Sequence, residues 1–243
     1  MPTFRLDIAY DGTGFRGYAR NEGIRSVQGE IEAMLARMAG ETVDTVVAGR
    51  TDAGVHARHN VVSFTTGAGL DPDRVRRSLT SALGPEIVVM KASIVPDGFH
   101  ARFSASERSY RYGVDDSGTP DPLRRHSVWA VDWPLDVGAM DAAAQHFVGE
   151  HDFASLCRRQ EGRSTERTVL EAGWSREGPL VTYRVRARAF CHQMVRSMVA
   201  LCVDVGRGRV PADAVPGILE ARDRNAARGA APAHGLVLWE VGF

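Results

Sequence analysis

Strand-like and helix-like patterns alternate along this sequence, and their order limits the folds open to it more than any other feature. Residues 4–10 alternate as a strand does, whereas residues 27–38 carry apolar side chains at helical spacing. Ser26 and Gly40 flank the helical stripe, and these residue types commonly begin and end helices. The start of the chain therefore predicts an α+β arrangement.

The rest of the chain continues this mixture and divides into two α+β halves. We predict further strands at residues 43–48, 60–65, 87–95, 108–114, 168–175, 180–189 and 236–241. Helices are predicted at residues 72–83, 136–148, 191–205 and 212–221. A chain of 243 residues with 44% hydrophobic residues suits one large domain or two of roughly 100 to 150 residues. We place the halves at residues 1–103 and 104–243.

Charge and cysteine spacing argue against several classes of protein. The formal net charge is zero, although Lys91 is the only lysine among 30 basic residues. This arginine bias suits phosphate recognition, but a GC-rich genome would produce it too. The three cysteines lack a C-x-x-C spacing, which argues against a disulfide framework and a zinc ribbon. No apolar run reaches the roughly 18 residues of a membrane span and no signal-peptide core is visible, so we expect a soluble cytoplasmic protein.

Residues 49–57 read Gly-Arg-Thr-Asp-Ala-Gly-Val-His-Ala and directly follow the predicted strand at residues 43–48. A loop at the end of a strand can present Asp52 to a ligand, and Gly49 and Gly54 allow backbone conformations that other residues resist. Asp and Gly are also ordinary turn residues, so Asp52 could instead accept a backbone hydrogen bond. From these residues alone, an active-site aspartate and a structural turn are both open.

An aromatic and basic strand face is predicted at residues 108–114. Strand alternation places Arg108, Tyr110 and Tyr112 on one side of this strand. Such a face can stack a base and hold phosphates. Cross-strand aromatic packing is the more ordinary explanation of the same pattern.

A second basic strand face is predicted at residues 180–189, where alternation puts Arg184, Arg186 and Arg188 on one side and apolar residues on the other. Three like charges on one face favour an acidic partner, which could be internal carboxylates or RNA phosphate. Further arginine clusters make a basic groove plausible despite the zero net charge, and they lie at residues 74–77 and 158–163.

Several segments together resemble the tRNA pseudouridine synthase I (TruA) family. Residues 49–57 match the family's signature without a break, and Asp52 stands at the position of the family's invariant aspartate. Further matches follow in order along nearly the whole chain, at residues 10–12, 27–29, 99–112, 149–153, 194–196 and 231–236. The sequence departs from the family pattern at residues 18–21, and His59-Asn60 replaces Gly-Gln. These departures could alter contacts with tRNA.

The resemblance implies a pseudouridine synthase fold, in which two ferredoxin-like halves share a continuous mixed or antiparallel sheet with a central basic cleft. It implies an isomerase that converts uridine to pseudouridine in the anticodon stem-loop of tRNA, at positions 38, 39 and 40. Family members are homodimers that use no cofactor or metal. We expect the same partners and the same absence of cofactors for this chain.

The resemblance also implies roles for individual residues. Asp52 would be the catalytic nucleophile, and Tyr110 would stack on the target uracil. Arg196 would pair with the catalytic aspartate, and Leu236 would help line the uracil pocket, although Leu236 also suits plain core packing. Arginines that we expect to contact RNA are Arg50, Arg58, Arg102, Arg108, Arg184, Arg186 and Arg188. For residues 149–153, a capped structural turn is the expectation.

Two other functions fit part of the sequence. A non-catalytic RNA-binding module would explain the arginines and Tyr110, but it would leave the loop around Asp52 without a purpose. An aspartate-dependent hydrolase would account for Asp52, but it would not explain the basic strand faces. Only the pseudouridine synthase hypothesis accounts for both features.

Overall fold

The computed structural model describes residues 1–227 and 229–243. These residues form two compact units, which we call the first unit (residues 1–106 and 238–243) and the second unit (residues 107–237). Both units combine strands with helices. The described part of the chain contains a mixed sheet of ten strands, and this confirms the predicted α+β class.

The first unit begins with a strand that lies between two others. Its elements are β1 (Thr3–Tyr10), α1 (Val27–Ala39), β2 (Val46–Val47), β3 (His56–Thr65), α2 (Pro72–Leu83), β4 (Ile87–Val95) and α3 (Ala101–Ser104). Strand β1 pairs antiparallel with β3 on one side and with β4 on the other, while β2 pairs with β3. The end of β1 therefore lies beside the start of β3, where Tyr10 is opposite Ala57.

Helix ends in the first unit follow the signals in the sequence. The Ser26 side chain accepts a hydrogen bond from the backbone N–H of Gly29, and Gly40 closes α1 in the left-handed conformation at φ 71°. Asp71 caps α2 in the same manner, with a proline in the first turn. Both predicted helices are confirmed to within one residue because their capping residues act as expected.

The second unit is built on four antiparallel strands. Its elements are β5 (Glu107–Asp115), β6 (Trp129–Ala130), α4 (Val137–Gln145), β7 (Gly149–Asp152), β8 (Glu166–Glu177), β9 (Leu180–Ala187), α5 (Met194–Gly206), α6 (Val215–Glu220) and the start of β10 (Leu236–Gly242). The strand order is β5-β9-β8-β7, and the short β6 runs parallel to β5. In the core of the second unit, the ring centroids of Trp174 and Tyr183 lie 4.9 Å apart.

Some predicted element boundaries were wrong for local reasons. The strand predicted at residues 43–48 is only Val46–Val47, because the backbone N–H and the hydroxyl of Thr45 both bond to the Glu32 carboxylate of α1. The strand predicted from residue 60 begins four residues earlier, at His56, where it meets the end of β1.

Several elements of the second unit also differ from their predicted boundaries. Helix α5 begins at Met194 rather than at residue 191, because Gln193 adopts a left-handed conformation with φ 63° that a helix cannot include. The helix predicted at residues 212–221 is a short 3-10 turn followed by α6. Residues 149–152 form strand β7 against β8, so the predicted turn was wrong for them. Within the described residues, no helix combines the length and apolar character needed to cross a bilayer.

An ion pair between the partly exposed Arg176 and the buried Asp116 joins distant parts of the second unit. The Arg176 guanidinium donates two hydrogen bonds of 2.7 Å to the two carboxylate oxygens of Asp116. The Asp116 side chain is only 5% exposed and also accepts the backbone N–H of Leu135 at 3.0 Å. The hydrogen bonds from Arg176 hold the pKa of Asp116 below its usual range, although burial opposes them.

We predict that Asp116→Asn lowers the free energy of unfolding at pH 7 by about 1 kcal/mol, a value kept small because Arg176 is partly exposed. A carboxyl whose pKa is lowered by folding stabilises the protein above its unfolded pKa of 3.8, and this contribution disappears as the pH falls through the folded value. Urea denaturation from pH 7 down to pH 3 should show the gap between variant and parent closing. A gap of constant size would contradict the assignment.

Candidate active site

Asp52 lies in the first unit on the loop between β2 and β3, which we call the Asp52 loop (residues 48–55). The backbone carbonyl of Asp52 accepts the N–H of Val55 at 3.1 Å, which closes a turn. Gly54 occupies this turn with φ 78°, a conformation that favours glycine. The Asp52 side chain is half-buried. The turn expected from sequence is therefore present, and it leaves the carboxylate on a defined loop.

Two glycines outside the loop let other segments pack closely against it. Gly17 has φ 104°, and a Cβ there would lie 3.2 Å from the carbonyl oxygen of Thr51. A Cβ at Gly12 would overlap the backbone carbonyl of Val55. The neighbouring Tyr18 donates its backbone N–H to the Thr51 carbonyl at 3.0 Å. The segment after β1 thus touches the Asp52 loop backbone to backbone, which leaves the loop little room to move.

Buried polar side chains hold the loop from its other side. The hydroxyls of Tyr10 and Thr51 are 2.8 Å apart, and the Asn60 side chain bonds to the backbone of Gly49. His56 accepts the backbone N–H of Gly12 at Nδ1 with a distance of 3.0 Å. Tyr10, Asn60 and Thr51 were not among the predicted site residues. Their signal in the sequence was weak, because one polar residue in an apolar strand does not reveal its partner.

The structure places Asn60 in the interior of the first unit, and the effect of residues 59–60 on contacts with tRNA stays a prediction. The Asn60 side chain is 0% exposed, so it faces the protein interior rather than a ligand. His59 is half-buried, and its Nε2 lies 2.8 Å from the Asp7 carboxylate. Burial raises the pKa of Asp7, but the hydrogen bonds from His59 and Arg5 outweigh burial and bring the pKa below its ordinary value. Both residues that replace the family's Gly-Gln pair are thus bonded within the first unit.

The three arginines predicted to contact RNA from the first unit are all exposed: Arg50, Arg58 and Arg102. Arg58 places its guanidinium 4.7 Å from the centre of the Trp239 ring, and Arg102 lies over Phe103 at 5.4 Å. Stacking on an aromatic ring orients a guanidinium group without removing its charge. Their exposure leaves them accessible to a large anionic ligand.

Tyr110 lies on β5 of the second unit and is 8% exposed. Its ring packs edge-on against Phe190 with the centroids 5.0 Å apart, and its neighbour across the sheet is Val185. The predicted alternation on this strand is confirmed, because Tyr110 and Tyr112 are buried while their neighbours are more exposed. Aromatic packing, one of the two explanations that the sequence left open, is therefore present.

Arg196 lies in the first turn of α5 and is half-buried. Its Nε donates to the carbonyl oxygen of Ala231 at 2.7 Å, and the Ala231 N–H donates to the Arg196 carbonyl at 2.9 Å. This pair of bonds fixes residues 231–236 against the start of the helix. The Arg196 Nε is thus bonded to the main chain, and the expected pairing of this side chain with the catalytic aspartate stays a prediction.

Leu236 follows directly on that fixed segment and is 5% exposed. The Tyr112 hydroxyl donates to the carbonyl oxygen of Pro232 at 2.8 Å, and a Cβ at Gly235 would lie 2.5 Å from the Tyr112 ring. Burial raises the pKa of the Tyr112 phenol, so this hydroxyl remains a donor. In the second unit, Arg196 and Tyr112 thus both bond to the segment that precedes Leu236.

The arginine face on β9 is present but is not uniform. Val185 and Ala187 are buried and Arg184 is exposed, as the alternation predicted. Arg186 pairs with Glu107 at 2.9 Å and with Glu171 at 3.4 Å, and the hydrogen bond that it donates to Glu107 contributes most to raising the pKa of Arg186. For Arg186, internal carboxylates are therefore the acidic partner.

Arg184 and Arg188 differ from Arg186 in their surroundings. Arg184 stands opposite Arg111 in the register of β5 and β9, so two cations lie side by side on this face. Arg188 is exposed, and its carbonyl oxygen accepts the guanidinium of Arg108 at 3.0 Å. The described residues contain no group of three or more His, Cys, Asp and Glu side chains placed to hold a metal ion. Chemically, the two units present a carboxylate on a rigid loop, a tyrosine, and exposed arginines.

Comparison with known proteins agrees with these features. A family model described as tRNA pseudouridine synthase matches residues 8–104 and 143–243. The tRNA pseudouridine synthase A of Leifsonia xyli is 44% identical over 99% of this chain and 91% of its own length. The enzymes of the same name from Moorella thermoacetica and Bacillus subtilis are 41% and 39% identical, covering 100% and 98% of this chain and 100% and 97% of their own.

Solved structures add little to this. A chain in the crystal structure of the archaeal box H/ACA sRNP Nop10-Cbf5 complex aligns with a TM-score of 0.36 and 15% identity, over 83% of this chain and 44% of that chain. Such a likeness is too weak to support an assignment. The family model and the full-length relatives carry it instead, and they show that this chain belongs to the tRNA pseudouridine synthase family.

Proposed function

We propose that this chain isomerises uridine to pseudouridine on the 3′ side of the tRNA anticodon stem-loop, at positions 38, 39 and 40, with Asp52 as the catalytic nucleophile. The observation that carries the proposal is the Asp52 loop itself. The loop contains the unbroken family signature and is closed by the Asp52–Val55 bond. It presents a half-buried carboxylate on a rigid frame, as a catalytic group requires.

The reaction needs no redox chemistry and no group from outside. The bond between N1 and C1′ breaks, the base turns, and a bond forms between C5 and C1′. A proton leaves C5 and N1 gains one, so atoms and charge balance. A carboxylate can promote this by covalent attack or by assisting elimination at the ribose. In either route Asp52 acts on a nucleotide that has left its stack, as enzymes that modify bases require.

The remaining site residues receive roles consistent with their chemistry. Tyr110 stacks on the uracil, since an aromatic ring held by Phe190 loses little freedom on binding. Arg196 provides the cation for the catalytic carboxylate, and Leu236 offers an apolar surface to the base. The exposed arginines contact phosphates, which positions the RNA without reading its sequence. These roles rest on the resemblance to the family.

The family also implies an oligomeric state, a cellular location and a partner. We propose that the chain works as a homodimer in the cytoplasm, that tRNA is its partner, and that it needs neither a cofactor nor a metal. Size-exclusion chromatography with light scattering would test the dimer. Turnover in a chelating buffer would test the requirement for metal.

We predict that Asp52→Asn abolishes pseudouridine formation, with a rate loss of at least about a thousandfold, because the variant keeps the shape of the loop but loses its nucleophile. Binding of tRNA should change by less than about threefold, since no phosphate-binding cation is removed. The measurements are position-mapped pseudouridine in a tRNA transcript and filter binding of the same transcript. Wild-type turnover by this variant would refute the catalytic assignment.

The same two assays separate the rival functions. A non-catalytic RNA-binding module would retain tRNA but produce no pseudouridine in the parent protein. A hydrolase would cleave an ester or glycoside without any dependence on RNA. Either outcome in the unmodified protein would favour that rival over the isomerase.

We also predict that Arg184→Ala weakens tRNA binding about threefold to tenfold and makes the slope of log K against log salt shallower by about 0.7 to 0.9. Arg184 is exposed, and its cross-strand neighbour is another cation. Arg186→Ala is the matched control, because Glu107 and Glu171 already neutralise its charge. Its slope should match that of the parent. Equal slopes for all three proteins would remove Arg184 from the RNA-binding surface.

A further inference from the structure

Asn60 is a fully buried amide whose hydrogen-bonding groups are all engaged. Its Nδ2 donates to the carbonyl oxygen of Gly49 at 2.8 Å and to the Tyr10 hydroxyl at 3.3 Å. Its Oδ1 accepts the N–H of Gly49 at 3.3 Å and the N–H of Val61 at 2.9 Å. The side chain therefore bonds to both polar groups of Gly49, as a neighbouring strand would. No capacity is left for a ligand.

Tyr10 continues this network towards the loop. It ends β1, is 4% exposed, and has its hydroxyl 2.8 Å from the Thr51 hydroxyl. Burial raises the pKa of the Tyr10 phenol to about 12, so the phenol keeps its proton. Because the oxygen of Tyr10 accepts from Asn60, that proton is free to be donated to Thr51. Either hydroxyl can donate in the bond between Tyr10 and Thr51, and the bonds link Asn60 through Tyr10 to Thr51.

Both ends of the network lie within three residues of Asp52. Gly49 is held through its main chain, and Thr51 is held through its side chain. The carbonyl of Thr51 is held separately by Tyr18. The side chain and the backbone carbonyl of Thr51, the residue immediately before Asp52, are therefore both held in place. A catalytic carboxylate gains most from such support, because a displacement of about 1 Å can cost about a hundredfold in rate.

We propose that Asn60 and Tyr10 are positioning residues for the reaction, which hold the Asp52 loop in its reactive geometry through the buried bonds to Gly49 and Thr51. The inference rests on the proposed catalytic role of Asp52 and extends it to residues that never touch the substrate. The exposed arginines make no bond in this network, and Arg50 alone among them lies on the loop that the network holds, so we expect most of the affinity for tRNA to be independent of it. The consequence is a loss of catalytic rate without a loss of binding.

The test removes one oxygen atom from the network. Tyr10→Phe keeps the buried ring but breaks the link from Asn60 to Thr51. We expect the single-turnover rate of pseudouridine formation to fall about tenfold to a hundredfold, while the dissociation constant for tRNA stays unchanged. The rate is measured with enzyme in excess, well below the melting temperature and per folded molecule, so that a purely structural effect of the hydroxyl does not move it.

Tyr183→Phe is the matched control. Tyr183 is also fully buried, but its hydroxyl has no hydrogen-bond partner in the described part of the chain. Removing this hydroxyl should therefore leave the rate of pseudouridine formation at the value of the parent protein. Thr51→Val breaks the network at its other end, and combined with Tyr10→Phe it should cost no more than either change alone.

Asn60→Asp provides a second, independent variant, since it keeps the size of the side chain but loses both donor bonds. It should show the same rate loss as Tyr10→Phe if it folds. A parent-like rate in Tyr10→Phe, with Asp52→Asn inactive, would overturn the positioning role and leave the catalytic assignment intact. Activity in Asp52→Asn would instead overturn the proposed function. The two failures are therefore distinguishable.

Discussion

The two-sided bond between the Asn60 side chain and the main chain of Gly49 is the contact on which the Asp52 loop most depends. An amide buried to 0% exposure would be costly without partners, and here each of its hydrogen-bonding groups has one. Strand β2 contains only two residues. Beyond them, the hydrogen bonds between Asn60 and Gly49 take the place of strand pairing. These bonds let the chain leave the sheet as a loop while its backbone remains fixed.

In the second unit, an arginine helps to fix an irregular segment of the chain. Arg196 and Ala231 exchange two hydrogen bonds, and Tyr112 holds the adjacent carbonyl of Pro232. An irregular segment is thereby fixed by side chains from a helix and a strand, and Leu236 follows at its end. In each unit, then, a residue from regular structure fixes the chain beside a residue that the family signature marks. Side chains placed on such supports need little rearrangement when a ligand binds.

Local signals in the sequence were sufficient for much of the fold. The caps at Ser26 and Asp71 located two helices to within one residue, and alternation identified the buried faces of β5 and β9. The loop carrying Asp52 was found from its family signature. The bonds that hold it were not, because Tyr10 and Asn60 are 50 residues apart and no local pattern records such a pair. Likewise, nothing near Arg186 in the sequence indicated that Glu107 neutralises it.

We propose that this chain isomerises uridine in the tRNA anticodon stem-loop. The most direct measurement is a map of pseudouridine at every position of an unmodified tRNA transcript, after incubation with the purified protein and without added cofactor or metal. We predict new pseudouridine on the 3′ side of the anticodon stem-loop and no change at other positions of the tRNA. Pseudouridine only at other positions, or none in several tRNAs that the protein binds, would contradict it.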